Sequence, residues 1–315
     1  FSIPDRVLET GFASECMMTT GKTLIVGASG YVGRHLFDLI GHEASTGTYN
    51  QSVIPDCLKF DAGTMGLADL NFNMSEYSQA VLLNGETNPD ACANDIERSE
   101  SINVTQIIKL IDELYANDIR PVFISTEAVF DGRKGNYVEE DEPNPILVYG
   151  RQKVEVEQYL LAKGHPFQII RLSKIYDSSP QAGSFLGNWY SQITAGEKDI
   201  PCAEDFISCP VHVDDVSKAI RALVALDENG IFHVAGPQAL SRYGICQILA
   251  DEIKLLQPME ACIRPCSIND FPTVEPRPLN ISLNAEKTIL RTALNFRDVG
   301  SVCREMVQNL SSSLQ

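Results

Sequence analysis

Tyr149 and Lys153 stand four residues apart in the run Tyr149-Gly150-Arg151-Gln152-Lys153. On a helix, that spacing puts a phenol and an ammonium on one face, with Cβ atoms ~5–6 Å apart. A free phenol titrates at about 10, too high for easy acid/base work at neutral pH. A neighbouring cation favours the phenolate and lowers that value. The pair therefore suits proton donation to a carbonyl undergoing reduction. Upstream, Ser125-Thr126 closes an apolar run that reads as a strand. In a parallel sheet the strand carboxyl ends face the ligand crevice. The Thr126 hydroxyl would hold the carbonyl there, Tyr149 would give the proton, and Lys153 would tune the phenol.

Such a trio needs a hydride donor. Gly27-Ala28-Ser29-Gly30-Tyr31-Val32-Gly33 lies between an apolar run at 23–27 and a helical pattern at 31–40. A strand, a glycine loop and a helix N-terminus are what a dinucleotide pyrophosphate requires, because the backbone must approach it closely. Gly27, Ser29, Gly30, Tyr31, Val32 and Gly33 are thus candidate cofactor contacts, and Lys153 would grip the nicotinamide ribose. The spacing is G-x-x-G-x-x-G rather than G-x-G-x-x-G. Past Glu43, the end of the second strand, about 44–51, carries neither acid nor base. Arg34, just inside the first helix, is then the candidate contact for a 2′-phosphate. NADP(H) is favoured, with NAD(H) as the alternative.

The elements that must position these residues follow from periodicity. Strands are expected at 79–83, 121–125 and 167–172, and helices at 31–40, 95–117, 149–163, 213–226 and 243–256, the last capped by Ser241. Ile102, Ile107, Leu110, Ile111 and Leu114 form the stripe of the long helix 95–117. This and the stripe of 149–163 suit the core better than an interface. Alternating strands and helices predict an α/β fold, a Rossmann-type doubly wound parallel sheet. The pattern turns irregular after Tyr176. A cofactor domain is expected at 21–176 plus about 205–240, and a smaller α/β substrate lobe at 177–204 and 241–315. Residues 1–20 read as an extension without signal-peptide character.

The 315 residues carry 42 acids against 25 bases, a net charge of −17. That balance argues against nucleic-acid binding. No apolar run reaches the ~20 residues of a membrane span. The nine cysteines lack a C-x-x-C pair and read as scattered reduced thiols in the cytoplasm. No metal site is evident. The acidic loop Glu139-Glu140-Asp141-Glu142 reads as a solvated loop.

Together these segments resemble the extended short-chain dehydrogenases/reductases, in the dTDP-4-dehydrorhamnose reductase branch. The resemblance runs through most of 22–295. It is carried by Gly27–Gly33, Ile124-Ser-Thr-Glu-Ala-Val-Phe-Asp-Gly132, Tyr137 to Pro145, Val148 to Lys153, Pro210 to Asp215, Phe232 to Pro237 and Arg277 to Asn280. It implies that Thr126, Tyr149 and Lys153 are catalytic. It implies that Asp61, Ala62, Asn84 and Gly85 lie along the cofactor, and that the Arg277 region lines a sugar-nucleotide pocket. Homodimers are common among such folds.

Three departures flank that pocket. Glu127-Ala128 replaces the usual Asp-Tyr, Lys174 replaces Trp, and Asn84-Gly85-Glu86 replaces Asn-Ala-Ala. Glu86, Glu127 and Lys174 are therefore substrate-site candidates, and Glu86 calls for pairing with Lys174 or Arg171. The expected activity is reduction of a keto-sugar nucleotide. Two alternatives stay open: an epimerase or dehydratase, for which Ala128 leaves one acid missing, and a non-catalytic subunit like the β subunit of methionine adenosyltransferase.

Overall fold

The computed structural model describes residues 21–179, 185–226 and 228–312; the extension at 1–20 lies outside the described residues. One sheet holds β1 (Lys22–Val26), β2 (Ser45–Tyr49), β3 (Cys57–Lys59), β4 (Tyr77–Leu82), β5 (Arg120–Thr126), β6 (Gln168–Leu172) and a last strand, Gly230–Val234. From one edge the order is last strand, β6, β5, β4, β1, β2, β3. Every neighbouring pair is parallel. The fold is thus the expected doubly wound α/β sheet, with the order reversing between β4 and β1.

The strands are near-continuous apolar runs because both faces are covered. Alternate residues separate cleanly. Leu24, Val26, Ala80, Leu82, Phe123 and Ile169 pack one face against Ile107, Leu110, Ile111 and Leu114 of a helix at Gln106–Tyr115 and Val156 and Leu160 of Val148–Lys163. Ile25, Val81, Val122, Ile124 and Ile170 pack the other against Leu36 and Phe37 of α1 (Tyr31–Ile40) and Val216, Ile220 and Leu223 of Val213–Ala225. The two apolar stripes in question are therefore core.

The long helix expected at 95–117 is broken. It comprises α2 (Pro89–Asn94) upstream, α3 (Ile96–Glu100), a π-helical turn at Ser101–Thr105 and α4 (Gln106–Tyr115). The π turn takes one more residue per turn than a regular helix and rotates the face. Asn103 and Val104 are buried as a result, while Ile102, assigned to the stripe, is partly exposed. Beyond α5 (Val148–Lys163) come α6 (Phe185–Thr194), α7 (Val213–Ala225), α8 (Arg242–Lys254), α9 (Glu286–Thr292) and α10 (Val299–Ser312). Ser241 caps α8, accepting from Gly244 N at 3.0 Å. Helices α6, α8 and α10 share a separate apolar cluster around Trp189, Leu249 and Met306.

The acidic loop is more than a solvated one. Glu139 is buried and accepts from His233 N at 2.9 Å, and Asp141 pairs with Lys134 at 2.6 Å. The eight cysteines among the described residues are free. No helix among the described residues is long and apolar enough to cross a membrane.

Candidate active site

Every candidate cofactor contact sits at the carboxyl edge of the sheet. Gly27 leaves β1 with φ +91°, in the left-handed region that favours glycine. Its N–H donates to Thr48 Oγ1 at 3.1 Å, and Gly30 is the N-cap of α1, which has no side-chain cap and no acid in the first turn. That helix end is left with free N–H donors and its positive dipole end. Asn84, after β4, carries a buried Oδ1 without a partner, and Gly27 lies against its backbone. A cradle without side chains, an open helix N-terminus and an orphaned acceptor fit a dinucleotide. A Cβ on Gly33 would stand 2.3 Å from the Gly27 carbonyl oxygen. Gly33→Ala is expected to cost about 1–3 kcal/mol of stability through overpacking. It should also weaken cofactor binding in a fluorescence titration with NADPH.

Ser29 contributes its carbonyl, which accepts from Arg34 Nε at 3.0 Å. Val32 packs inward on the second core face. Tyr31 donates to Asp177 at 2.7 Å, tying the loop to the chain beyond β6. Arg34 borders a cleft of about 390 Å³ beside residues 53–56. Asp61 follows β3 and accepts from Gly63 N at 3.0 Å, with Ala62 next to it. Gly85 has φ +153° and faces Asn103.

One cation escaped the sequence reading. Lys59 pairs laterally with Tyr49 across β2 and β3. Its Nζ donates to the backbone carbonyl and, at 2.7 Å, to the side-chain oxygen of Asn50. The end of β2 is therefore not empty of charge.

The trio comes together at β5 and α5. Thr126 ends β5, accepts from Ala128 N at 3.2 Å and hydrogen-bonds the Tyr149 phenol. Tyr149 lies in the first turn of α5 because Gly150 packs on the Ala128 carbonyl, where a Cβ would stand 2.2 Å away. Lys153 donates to the Ile124 carbonyl at 2.9 Å and lies 5.9 Å from the Tyr149 ring centre. The expected lowering of the phenol is overturned. Burial pushes Tyr149 well above the ordinary tyrosine range, against the Thr126 hydrogen bond. Burial likewise pushes Lys153 down to about 8. Desolvation outweighs the neighbouring charge, and the phenol holds its proton at neutral pH.

A buried frame fixes these groups. Glu157, one turn beyond Lys153, takes both Arg171 Nε (3.1 Å) and a terminal nitrogen (2.6 Å), and accepts from Ser125 Oγ. Both side chains of this pair are at most 2% exposed. Arg171 therefore serves Glu157, not Glu86 as expected. Glu86 instead lies 3.9 Å from Arg98 and accepts from Asn88 N. Asn103, a further residue the sequence did not reveal, bonds the Glu86 backbone on both sides and Gln152 of α5 at 2.8 Å. Its π turn thus braces the loop after β4 against α5.

Of the substrate candidates, Glu127 is buried, accepts from Ser173 Oγ at 2.5 Å and is pushed up to about 7, chiefly by burial. Lys174 follows Ser173, and its N–H also reaches Glu127. Arg277 pairs with Asp90 of α2 at 2.7 Å. Next to it, Glu275 accepts from Val148 N at the start of α5.

A parallel sheet of this order, with a glycine cradle at its carboxyl edge, places the chain among the NAD(P)-dependent oxidoreductases of the extended short-chain type. Residues 21–312 match the model described as the RmlD substrate binding domain, and the chain belongs to that family. It is similar to a dTDP-4-dehydrorhamnose reductase of Mycolicibacterium smegmatis, 27% identical over 285 residues, 88% of this chain and 82% of that one. It is also similar to methionine adenosyltransferase 2 subunit beta of Bos taurus, 28% identical over 209 residues, 64% of this chain and 61% of that one. Among solved structures, dTDP-4-dehydrorhamnose reductase from Bacillus anthracis in complex with NADP matches with a TM-score of 0.75. It is 19% identical, over 92% of this chain and 99% of that one, a likeness of fold.

Proposed function

We propose that the protein reduces a keto-sugar nucleotide with NADP(H), acting in the cytoplasm. The observation that supports this most is the convergence of Thr126, Tyr149 and Lys153 beside the glycine cradle. A bound nicotinamide would supply the hydride. Thr126 holds the carbonyl oxygen. Tyr149, protonated because it is buried, gives its proton to that oxygen as negative charge develops, and the product is an alcohol. Lys153 orients the nicotinamide ribose and, once Tyr149 has given up its proton, stabilises the phenolate. The α6, α8 and α10 cluster with the Arg277 segment forms the lobe that takes the sugar nucleotide.

NADP(H) is preferred over NAD(H) because Lys59 stands at the end of β2, where a 2′-phosphate would lie, and Arg34 stands in the first turn of α1. Lys59 is exposed, which moderates its effect. Lys59→Ala is expected to weaken NADPH binding roughly 3- to 10-fold while leaving NADH binding nearly unchanged. Titration with both cofactors checks this.

A second reading has a specific observation in its favour. The Arg277 guanidinium is engaged by Asp90, and a relative is named as a subunit of another enzyme. On that reading, the protein binds the cofactor and a protein partner without turnover. NADPH consumption with a panel of 4-keto-6-deoxy sugar nucleotides, with product analysis, separates the two. Oxidation with at least one of them supports the reductase. No oxidation by folded protein that co-purifies with a partner supports the subunit.

A further inference from the structure

Helix α5 carries Tyr149 and Lys153 but has no cap of its own. Its N-cap residue, Leu147, makes no side-chain cap, and no acid stands in the first turn. Val148, where the helix begins, is buried, so its N–H needs a protein acceptor. Both carboxyl oxygens of Glu275 accept from that N–H, each at 3.1 Å, across 127 residues of chain. An acceptor and a negative charge at a helix start are both stabilising. The cap is thus supplied in trans, from the segment between α8 and α9.

That segment is a stiff strap. Pro272, Pro276 and Pro278 restrict its backbone at three positions, and the Glu275 carbonyl accepts from Thr273 Oγ1 at 3.0 Å. Asp90 of α2 anchors it twice, accepting from Val274 N at 2.9 Å and pairing with the Arg277 guanidinium at 2.7 Å. Arg151 of α5 adds a contact to Glu275 at 3.3 Å. Tyr149 therefore stands between two contacts that fix the helix start: Val148 N on Glu275, and Gly150 on the Ala128 carbonyl. Loss of the first frays the turn that holds the phenol. Lys153, one turn deeper, keeps its own anchor on the Ile124 carbonyl. We propose that Glu275 is a positioning residue for Tyr149, so that the strap between α8 and α9, once docked, sets the proton donor. This rests on the reading that Tyr149 gives the proton in a reduction.

The test compares the wild type with Glu275→Ala and Glu275→Gln, thermal melting confirming that all are folded at the assay temperature. In Glu275→Ala, kcat for NADPH-dependent reduction of a keto-sugar nucleotide is expected to fall about 3- to 30-fold, the range of a lost helix cap. Affinity for NADPH should stay within about twofold. Amide hydrogen exchange at residues 148–151, the first turn of α5, should quicken in parallel. Glu275→Gln, whose amide oxygen still accepts from Val148 N, should restore most of both. Unchanged kcat and exchange in Glu275→Ala, equal damage in Glu275→Gln, or a loss confined to NADPH affinity overturns the proposal. Failure of the reductase reading shows separately, as a wild type that oxidises no NADPH while the exchange pattern across the variants persists.

Discussion

Tyr149→Phe is expected to lower kcat/KM for NADPH-dependent reduction about 10²- to 10⁴-fold, the usual contribution of a positioned acid. Cofactor affinity should change little, because the ring that packs beside Thr126 is retained and only the hydroxyl is lost. The reason is geometric. The Tyr149 phenol is buried, bonded to Thr126 and protonated at neutral pH. The pH profile carries a second signature. Lys153 titrates at about 8, so the rate of reduction should decline above that pH as the ammonium is lost. Lys153→Met should remove that limb and also weaken cofactor binding. Stopped-flow measurement of NADPH oxidation, with a parallel fluorescence titration, resolves both effects.

Arg171→Met is expected to destabilise the fold by about 3–5 kcal/mol, because it leaves the Glu157 carboxylate buried without its partner. Among the described residues, Glu157 would retain only Ser125 Oγ as a donor. The same change would reach the site, since Glu157 stands one turn from Lys153 and helps keep its ammonium charged. The double substitution Glu157→Met/Arg171→Met should recover part of the stability, as paired removal of buried charges does. Urea denaturation of the three variants measures this. A single substitution that costs under about 1 kcal/mol, the scale of a surface ion pair, would mean that the pair is solvated.

The residues that read clearly from sequence are those whose meaning is local. Tyr149 and Lys153 share a helix face, Gly27 to Gly33 join a strand to a helix, and Ser241 caps α8. Each depends on spacing along one segment, and each is placed as expected. What was not legible depends on lateral or phase relations. Lys59 reaches the end of β2 only because β3 pairs with it in register at Tyr49. Asn103 faces inward only because a π turn shifts the helix phase, which apolar spacing does not encode. The Glu157–Arg171 pair joins a helix to the strand after it through the packing of α5 on the sheet. The sign of the Tyr149 shift also escaped, because desolvation is a property of the assembled site and four-residue spacing reports only the neighbouring charge.

The most direct measurement follows the hydride itself. The protein is incubated with NADPH deuterated at the transferable nicotinamide position and with a keto-sugar nucleotide, and the product is analysed by mass spectrometry and NMR. The account predicts one deuterium on the former carbonyl carbon, a hydroxyl in place of the ketone, and loss of both in Tyr149→Phe. Folded, cofactor-bound protein that transfers no deuterium to any keto-sugar nucleotide tested would contradict it.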